Sequence, residues 1–432
     1  MKFVHKRVPY RCVALIFLII CRYPSYSQGV NSTDTIQLTM SQAEQRFLDS
    51  NYALLAQRYN IDANKALVIQ AKLLPNPNLS LSHGFYNPST KQLLPFGSTG
   101  ETQAGLSQLI LLAGKRNKQI RLAEAAVQLS EFQFFDLIRT LKYTLRTDFF
   151  QVYYLEQSAK VYDEEIRSLS QVVTAFTQQE SRGNISEKEV VRIKAQLYSL
   201  QSEYNDLRNQ LGDTQSELRL LLRINQADIV PLPDTAAIAA LDPSRYSLAT
   251  LIDSAYQNRS DLQIAKTQTS ISKLNYAYQK ALAVPDLTLA ATYDQQGSYI
   301  HNFNAIGFGI DIPIFNRNQG NIRAAKLLID ENIATEKGIT ATLEENVYRS
   351  LQKAIADFKL EKGIDPAFSG DFQNLMHQVL LNYQQRNLSL LDFLDFYDSY
   401  KQNILQLNQI KFNKISSLED LNYYTGTSFF NE

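Results

Sequence analysis

The residues best placed to do chemistry are two carboxylates, Asp392 and Asp395, in the run Asp392-Phe-Leu-Asp395. Side chains three apart on a helix share a face, so the pair offers a cation two acceptors or simply lines a solvated surface. Other candidates fall away. His5, His83, His301 and His377 have no metal-ligand spacing. No glycine-rich phosphate loop and no serine or cysteine nucleophile motif occurs. Acidic runs such as Asp163-Glu-Glu165 read as solvated helix faces. The residues therefore point to electrostatics without catalysis, and no cofactor or metal is expected.

Long elements must position the pair. A helix is expected from Lys115 to about Glu180, without Pro or Gly, which spans roughly 100 Å. Ser181-Arg182-Gly183-Asn184 breaks it, and Ile185-Ser186 opens a return helix to about Arg223. A later helix runs from Gln319 toward Gln385, interrupted near Gly363-Ile-Asp-Pro366. A second tip at Arg386-Asn387-Leu388-Ser389 follows, then a last helix from Leu390 to about Thr425. Asp392 and Asp395 lie just past that tip.

The strands sit at the other end. Four are expected, at about 78–85, 102–112, 286–294 and 303–312, with period-2 alternation that is less clean in the second. Leu79, Leu81, Phe85, Leu287, Leu289, Tyr293, Ile306, Phe308 and Ile310 form an apolar face, against a small or polar face of Ser80, Ser82, Gly307 and Gly309. That is the pattern of lipid-facing barrel strands. The Tyr and Phe near the strand ends, Phe85, Tyr86, Tyr293, Tyr299 and Phe303, could form an aromatic girdle. Four strands cannot enclose a wide lumen, and an open edge cannot face lipid. The strands are therefore expected to pair with those of other copies; three copies would make twelve.

The chain also repeats itself. A shift of 208 places Thr39 on Ser247, Lys72 on Lys280, Pro77 on Pro285, and Leu79 and Leu81 on Leu287 and Leu289; a shift of 202 places Ile120-Arg121 on Ile322-Arg323. The reading is two tandem helix–strand–strand–helix units, 28–243 and 244–432. A helix is expected from a Thr39 capping box to about Leu73, stopped by Pro75 and Pro77, and its counterpart over Leu248–Leu282. Helices 40–73 and 186–223 together match the length of helix 115–180, so the two short helices should stack end to end beside the long one.

Residues 1–27 read as a secretory signal, basic and then apolar, with a small-residue cleavage site at Ser25-Tyr-Ser27. Cys21 follows the bulky Ile20, where a lipidated cysteine wants a small neighbour. Both cysteines, Cys12 and Cys21, leave with the signal. Removing its five Lys and Arg from 43 leaves 38 basic residues against 43 acidic ones, which argues against a nucleic-acid partner.

The Leu74-Pro-Asn-Pro-Asn-Leu-Ser-Leu81 lead-in, the Asp311-Ile-Pro-Ile-Phe-Asn-Arg-Asn-Gln-Gly320 exit and the two-copy order resemble the TolC-type outer membrane efflux family, most closely its metal-cation and multidrug branch. The resemblance implies a mainly α chain with a small transmembrane β-barrel: a homotrimeric, twelve-stranded barrel in the outer membrane of a Gram-negative bacterium, continued by a periplasmic α-helical tunnel. It implies a periplasmic membrane-fusion adaptor at the tips, an inner-membrane pump of the RND type and outer membrane lipid as partners. It also implies a gate: Tyr383, then the tip, then Asp392 and Asp395 as a ring at the tunnel entrance, with Tyr383 packing the closed helices together, so that Tyr383→Phe is expected to loosen them. Here Asn387 stands where the family's second tip commonly has Gly, while the first tip keeps Gly183. The competing readings are a periplasmic coiled-coil structural or adhesive protein without a pore, and an outer membrane conduit for type I protein secretion.

Overall fold

The structure, a computed structural model, describes residues 34–297, 300–365, 367–385 and 387–431. The expected signal 1–27 with Cys12 and Cys21, together with Tyr299 and Arg386, lies outside them.

Two features govern the helices of the first half. Thr39 closes the expected capping box with Gln42 and starts α1 (Met40–Ser50). The single helix expected to Leu73 is divided, because Asn51 leaves the helical conformation and caps α2 (Tyr52–Ala71), its side chain accepting from the Ala53 and Leu54 amides. The expected Leu248–Leu282 helix divides in the same way at Arg259, into α6 (Leu248–Asn258) and α7 (Ser260–Leu282). Asn51 and Arg259 are 208 residues apart.

The longest helix, α3 (Lys115–Ser181, 67 residues), is followed by the return helix α4 (Glu187–Leu222). The Arg46 Nε donates to the Leu222 carbonyl at 2.9 Å, and the Asn51 Nδ2 to Leu221 at 3.2 Å. These bonds seat the end of α4 on the α1–α2 junction, so α4 and α2 lie in line along α3. In the second half α8 (Gln319–Lys362), α9 (Phe368–Gln384) and α10 (Leu390–Thr425) follow. Two short strands tie the beginning and end of the first half together: β1 (Thr35–Leu38) pairs in parallel with β6 (Asp228–Pro231), ahead of the single-turn α5 (Thr235–Ala239). Neither strand is evident in the sequence.

Strand β2 (Asn78–His83) leads through a small hairpin, β3 (Tyr86–Asn87) and β4 (Gln92–Leu93), to β5 (Thr102–Ile110). The second half supplies β7 (Leu287–Asp294) and β8 (Phe303–Ile310). The order is β2-β5-β7-β8, antiparallel throughout, with β2 and β8 at the edges. Partners across a ladder share a face, and the registers sort the side chains into rows. Leu79, Leu106, Ala291 and Ile306 form one row; Gln108, Leu289 and Phe308 form the next, followed by Ile110, Leu287 and Ile310. The opposite face carries Ser80, Gly105, Thr292 and Ala305, then Ser107, Ala290 and Gly307. Tyr293 shares the apolar face with Leu81; Leu109 and Phe303 fall on the small-residue face. Phe85 sits in a bend beyond β2, its carbonyl accepting from the Leu94 amide at 2.8 Å, so β2 ends two residues before the expected boundary.

A cluster of cations joins sheet to helices. The first turn of α3 holds Lys115, Arg116 and Lys118, at the end of a helix that favours anions. Their partners explain them. The Arg116 guanidinium donates twice to the Lys72 carbonyl, at 3.0 and 2.7 Å, capping α2. The buried Lys115 ammonium meets the Val284 carbonyl and the Asp286 carboxylate, each at 2.7 Å, and Asp286 also accepts the Leu112 amide. One helix start thus fixes both helices that lead into the sheet. At the head of α8, Asn318 bonds the Gln279 carbonyl at 2.8 Å.

Candidate functional site

The two hairpin tips share a hydrogen bond that reaches back five residues. At the first, Gly183 has φ +75 and its amide bonds Glu180 at 2.8 Å, while the Asn184 amide reaches back to Gln179 at 2.9 Å. This is the paired closure of a Schellman motif. Arg182 is the helix cap, Ile185 the linker, and Ser186 opens α4 in a capping box with Glu189. At the second tip the Asn387 amide reaches back to Asn382 at 2.9 Å. Asn387 therefore corresponds to Asn184 and not to Gly183. The hydrogen bonds, more than residue identity, set the alignment of the tips. Leu388 packs toward the core there, and Ser389 opens α10, accepting the Asp392 amide at 3.2 Å.

Asp392 has a structural task that spacing alone does not show. The Ser389 hydroxyl donates to its carboxylate at 2.6 Å, so Asp392 braces the Ser389 cap, whereas at the first tip Glu189 accepts the Ser186 amide at 3.4 Å. Asp395 lies one turn on and, like Asp392, is exposed. Between them Phe393 and Leu394 turn inward. Asp398 is held by the Gln196 amide at 3.0 Å and lies 3.4 Å from the buried Lys401 ammonium, which also bonds Glu203 at 2.8 Å. The structure therefore brings the two aspartates together on the outward side of α10, against a solidly packed base.

Tyr383 is on the other side, 4 % exposed. Its ring stacks on Phe393 with centroids 4.2 Å apart and planes 8° from parallel, and meets Phe176 of α3 at 5.1 Å. It joins the second hairpin to the first within one chain. Burial, with Glu189 nearby, pushes its phenol pKa upward, and its hydroxyl finds no hydrogen-bond partner among the described residues. A cavity of about 400 Å³ beside it is lined by Val172, Ala175, Phe176, Gln179, Ile185 and Gln384, between the two tips. Deeper in the same core, burial pushes Glu165 up to about 7, reinforced by Glu164. The Tyr397 hydroxyl donates to the Glu165 carbonyl at 2.7 Å.

The described residues hold no group of His, Cys, Asp and Glu arranged to bind a metal, and none of their helices is long and apolar enough to cross a membrane. What the arrangement can do is electrostatic and mechanical: a pair of exposed carboxylates beside an aromatic contact that locks two hairpins.

Comparison with known proteins agrees with this architecture. The chain is 23% identical over 310 residues to the cobalt-zinc-cadmium resistance protein CzcC of Cupriavidus metallidurans, covering 71% of each. Its fold is similar to that of the Campylobacter jejuni CmeC outer membrane channel, with a TM-score of 0.72 at 17% identity over 90% of this chain and 85% of that one. It is similar also to the open state of the Neisseria gonorrhoeae MtrE outer membrane channel, with a TM-score of 0.70 at 16% identity over 93% of this chain and 94% of that one. Residues 44–222 match the family described as Outer membrane efflux protein. The chain is thus similar in fold to solved outer membrane channels, and its residues 44–222 carry the match to the outer membrane efflux protein family.

Proposed function

We propose that the chain is the outer membrane conduit of a tripartite efflux system. Three copies close a twelve-stranded barrel, and their helices continue it as a periplasmic tunnel. The chain works as a channel and not as an enzyme. The carrying observation is the sheet: it has one apolar face and two bare edges, β2 and β8. Lipid tolerates an apolar face and not an open edge, so neighbouring copies must complete the ladder. The apolar face with Leu79, Leu289, Phe308 and Ile310 then looks toward lipid, and the face with Ser80 and Gly307 toward the lumen.

The tips 182–186 and 386–389 are the surfaces for a periplasmic adaptor, which connects to an inner-membrane pump of the RND type. CzcC is named for cobalt, zinc and cadmium resistance; we read divalent metal cations as the cargo here, selected by the pump. Asp392 and Asp395 of three copies form a ring of six carboxylates at the tunnel entrance, where such rings favour cations.

Conductance tests this reading. The purified protein in a planar bilayer should give discrete channels, blocked by a trivalent cation from the entrance side. Replacing both Asp392 and Asp395 by Ala should weaken that block and reduce cation selectivity. The fold should lose about 1 kcal/mol, from the Asp392 cap. Unchanged block would make the aspartates an ordinary solvated face, and absence of channels would remove the conduit reading.

The lipid face has its own test. Phe308→Arg places charge on the apolar face, at about 2–4 kcal/mol near mid-membrane. Ser80→Arg, on the lumen face, should leave assembly intact. Loss of the assembled form with Ser80→Arg alone would invert the two faces.

A further inference from the structure

We propose that β8 of one copy pairs with β2 of a second copy, antiparallel, in a single register: Ile310 opposite His83, Phe308 opposite Phe85 and Ile306 opposite Asn87. This rests on the reading of the chain as a barrel-forming conduit and adds the contact that such a barrel needs.

The register follows from the internal repeat. Leu79 and Leu287 are equivalent at a spacing of 208, and the helix breaks at Asn51 and Arg259 have the same spacing. Leu79 pairs with Leu106, while Leu287 pairs with Ile310. Leu106 and Ile310 are therefore equivalent, at a spacing of 204. The left-handed helix caps Gly114 and Asn318 are also 204 apart. In the strands the ladder thus replaces the spacing of 202 suggested by residue identity, because hydrogen-bond register, not local similarity, fixes position.

One joint inside the chain remains to be copied, that of β5 with β7, where the two halves meet. Leu106 lies opposite Ala291, and Ala104 opposite Tyr293. Moving the first of each pair up by 204 and the second down by 208 gives Ile310 opposite His83 and Phe308 opposite Phe85. The Gln295 amide bonds the Thr102 carbonyl at 2.9 Å, extending that ladder, and its image is Ile306 opposite Asn87.

A further observation agrees: the edge side chains stand open in the single chain, Ile306 being 90% exposed, Phe308 78% and Phe85, in the bend beyond β2, 70%. By construction the climb around the sheet is then uniform. Crossing from β2 through β5 to β7 leads from Leu79 to Ala291, four residues beyond its repeat mate Leu287. The proposed joint leads from Leu287 through Ile310 to His83, again four residues beyond Leu79. Strand stagger and barrel size are linked, and a slip by two would make alternate joints unequal.

Disulfide trapping decides it. The chain's two cysteines, Cys12 and Cys21, lie in the segment read as the signal, so introduced pairs stand alone in the exported protein. Within one chain β2 and β8 are separated by two strands, roughly 14 Å at the usual strand spacing, so a bond between them reports a second copy. Ile310→Cys combined with His83→Cys, and Phe308→Cys combined with Phe85→Cys, should give covalent dimers and trimers on mild oxidation of outer membranes. Ile310→Cys with Leu81→Cys, and Ile310→Cys with Phe85→Cys, should give several-fold less. Predominance of either slipped pair would overturn the register and leave the barrel reading standing. No cross-link in any pair, with a monomer in detergent by size, would overturn both.

Discussion

Arg146→Leu should lower thermal stability more than any other single change at a charged site. Arg146 lies on α3, and its two terminal nitrogens reach Glu44 of α1 at 2.7 Å and Glu419 of α10 at 2.8 Å. Lys142 adds a contact to the other Glu44 oxygen at 2.9 Å. Arg146 and Glu419 are buried. The carboxylates hold the Arg146 pKa above its ordinary value against the opposing effect of burial. Burial alone would raise Glu44, yet the hydrogen bonds from Arg146 and Lys142 outweigh it and hold Glu44 low. Removing the arginine leaves two carboxylates without their main partner, at a cost of roughly 3–5 kcal/mol and several degrees in midpoint. The pH dependence has a definite sign. A carboxylate with a depressed folded pKa contributes stability above its unfolded value, near 4.3. That contribution is lost as pH falls through the folded value. The gap between wild type and Arg146→Leu should therefore narrow in acid. Adding Glu44→Leu and Glu419→Leu should recover most of the loss, since a hydrophobic replacement of a whole network is often neutral. Calorimetry at pH 7 and pH 4 checks each part; a single variant as stable as wild type would show that the network contributes nothing.

Tyr383 gives the second large effect, and its two substitutions should diverge. Tyr383→Ala removes a ring lying between Phe393 and Phe176. The expected loss is about 3–5 kcal/mol, concentrated where the second hairpin meets the first, so open-channel conductance should rise as that contact loosens. Tyr383→Phe keeps the ring and deletes only a buried hydroxyl without a partner among the described residues. An unpaired buried polar group is costly, so the phenylalanine variant should be as stable as wild type or more so, with unaltered conductance. The resemblance implies that Tyr383 holds the closed helices together; the geometry gives its ring contacts with Phe393 and Phe176 and its hydroxyl no partner among the described residues. A conductance increase in Tyr383→Phe would return the role to the hydroxyl.

Much of the plan can be read from residue order because it rests on local signals. Helix α3 spans Lys115–Ser181 against an expected 115–180, since an unbroken run without Pro or Gly and a terminal Gly183 leave little choice. The strand pattern is similarly plain, apart from Phe85, whose bend depends on the β3–β4 hairpin. What escapes is long-range. The β1–β6 pair joins segments nearly 200 residues apart, and no four-residue strand announces its partner. The divisions at Asn51 and Arg259 interrupt apolar runs that continue in phase across them. Asn51, a residue favoured as a helix cap, is the one signal that could have been found. Asp392 lies where spacing puts it, but its bond to Ser389 depends on the tip's conformation.

The sheet's sequence order also shapes how the chain can be built. Its edges are β2, near the start, and β8, which ends at Ile310 of 432 residues. During export β2 emerges early and β8 only after some 220 further residues. The central joint, β5 with β7, itself waits for a segment about 180 residues downstream. Pairings this distant in sequence form slowly, and unpaired strand edges invite wrong partners meanwhile. No copy can offer both edges until most of it has crossed the inner membrane. In the proposed assembly, union of copies is therefore a late event between nearly complete chains, and the demand for protection in transit falls on Asn78–Ile110, the part that waits longest.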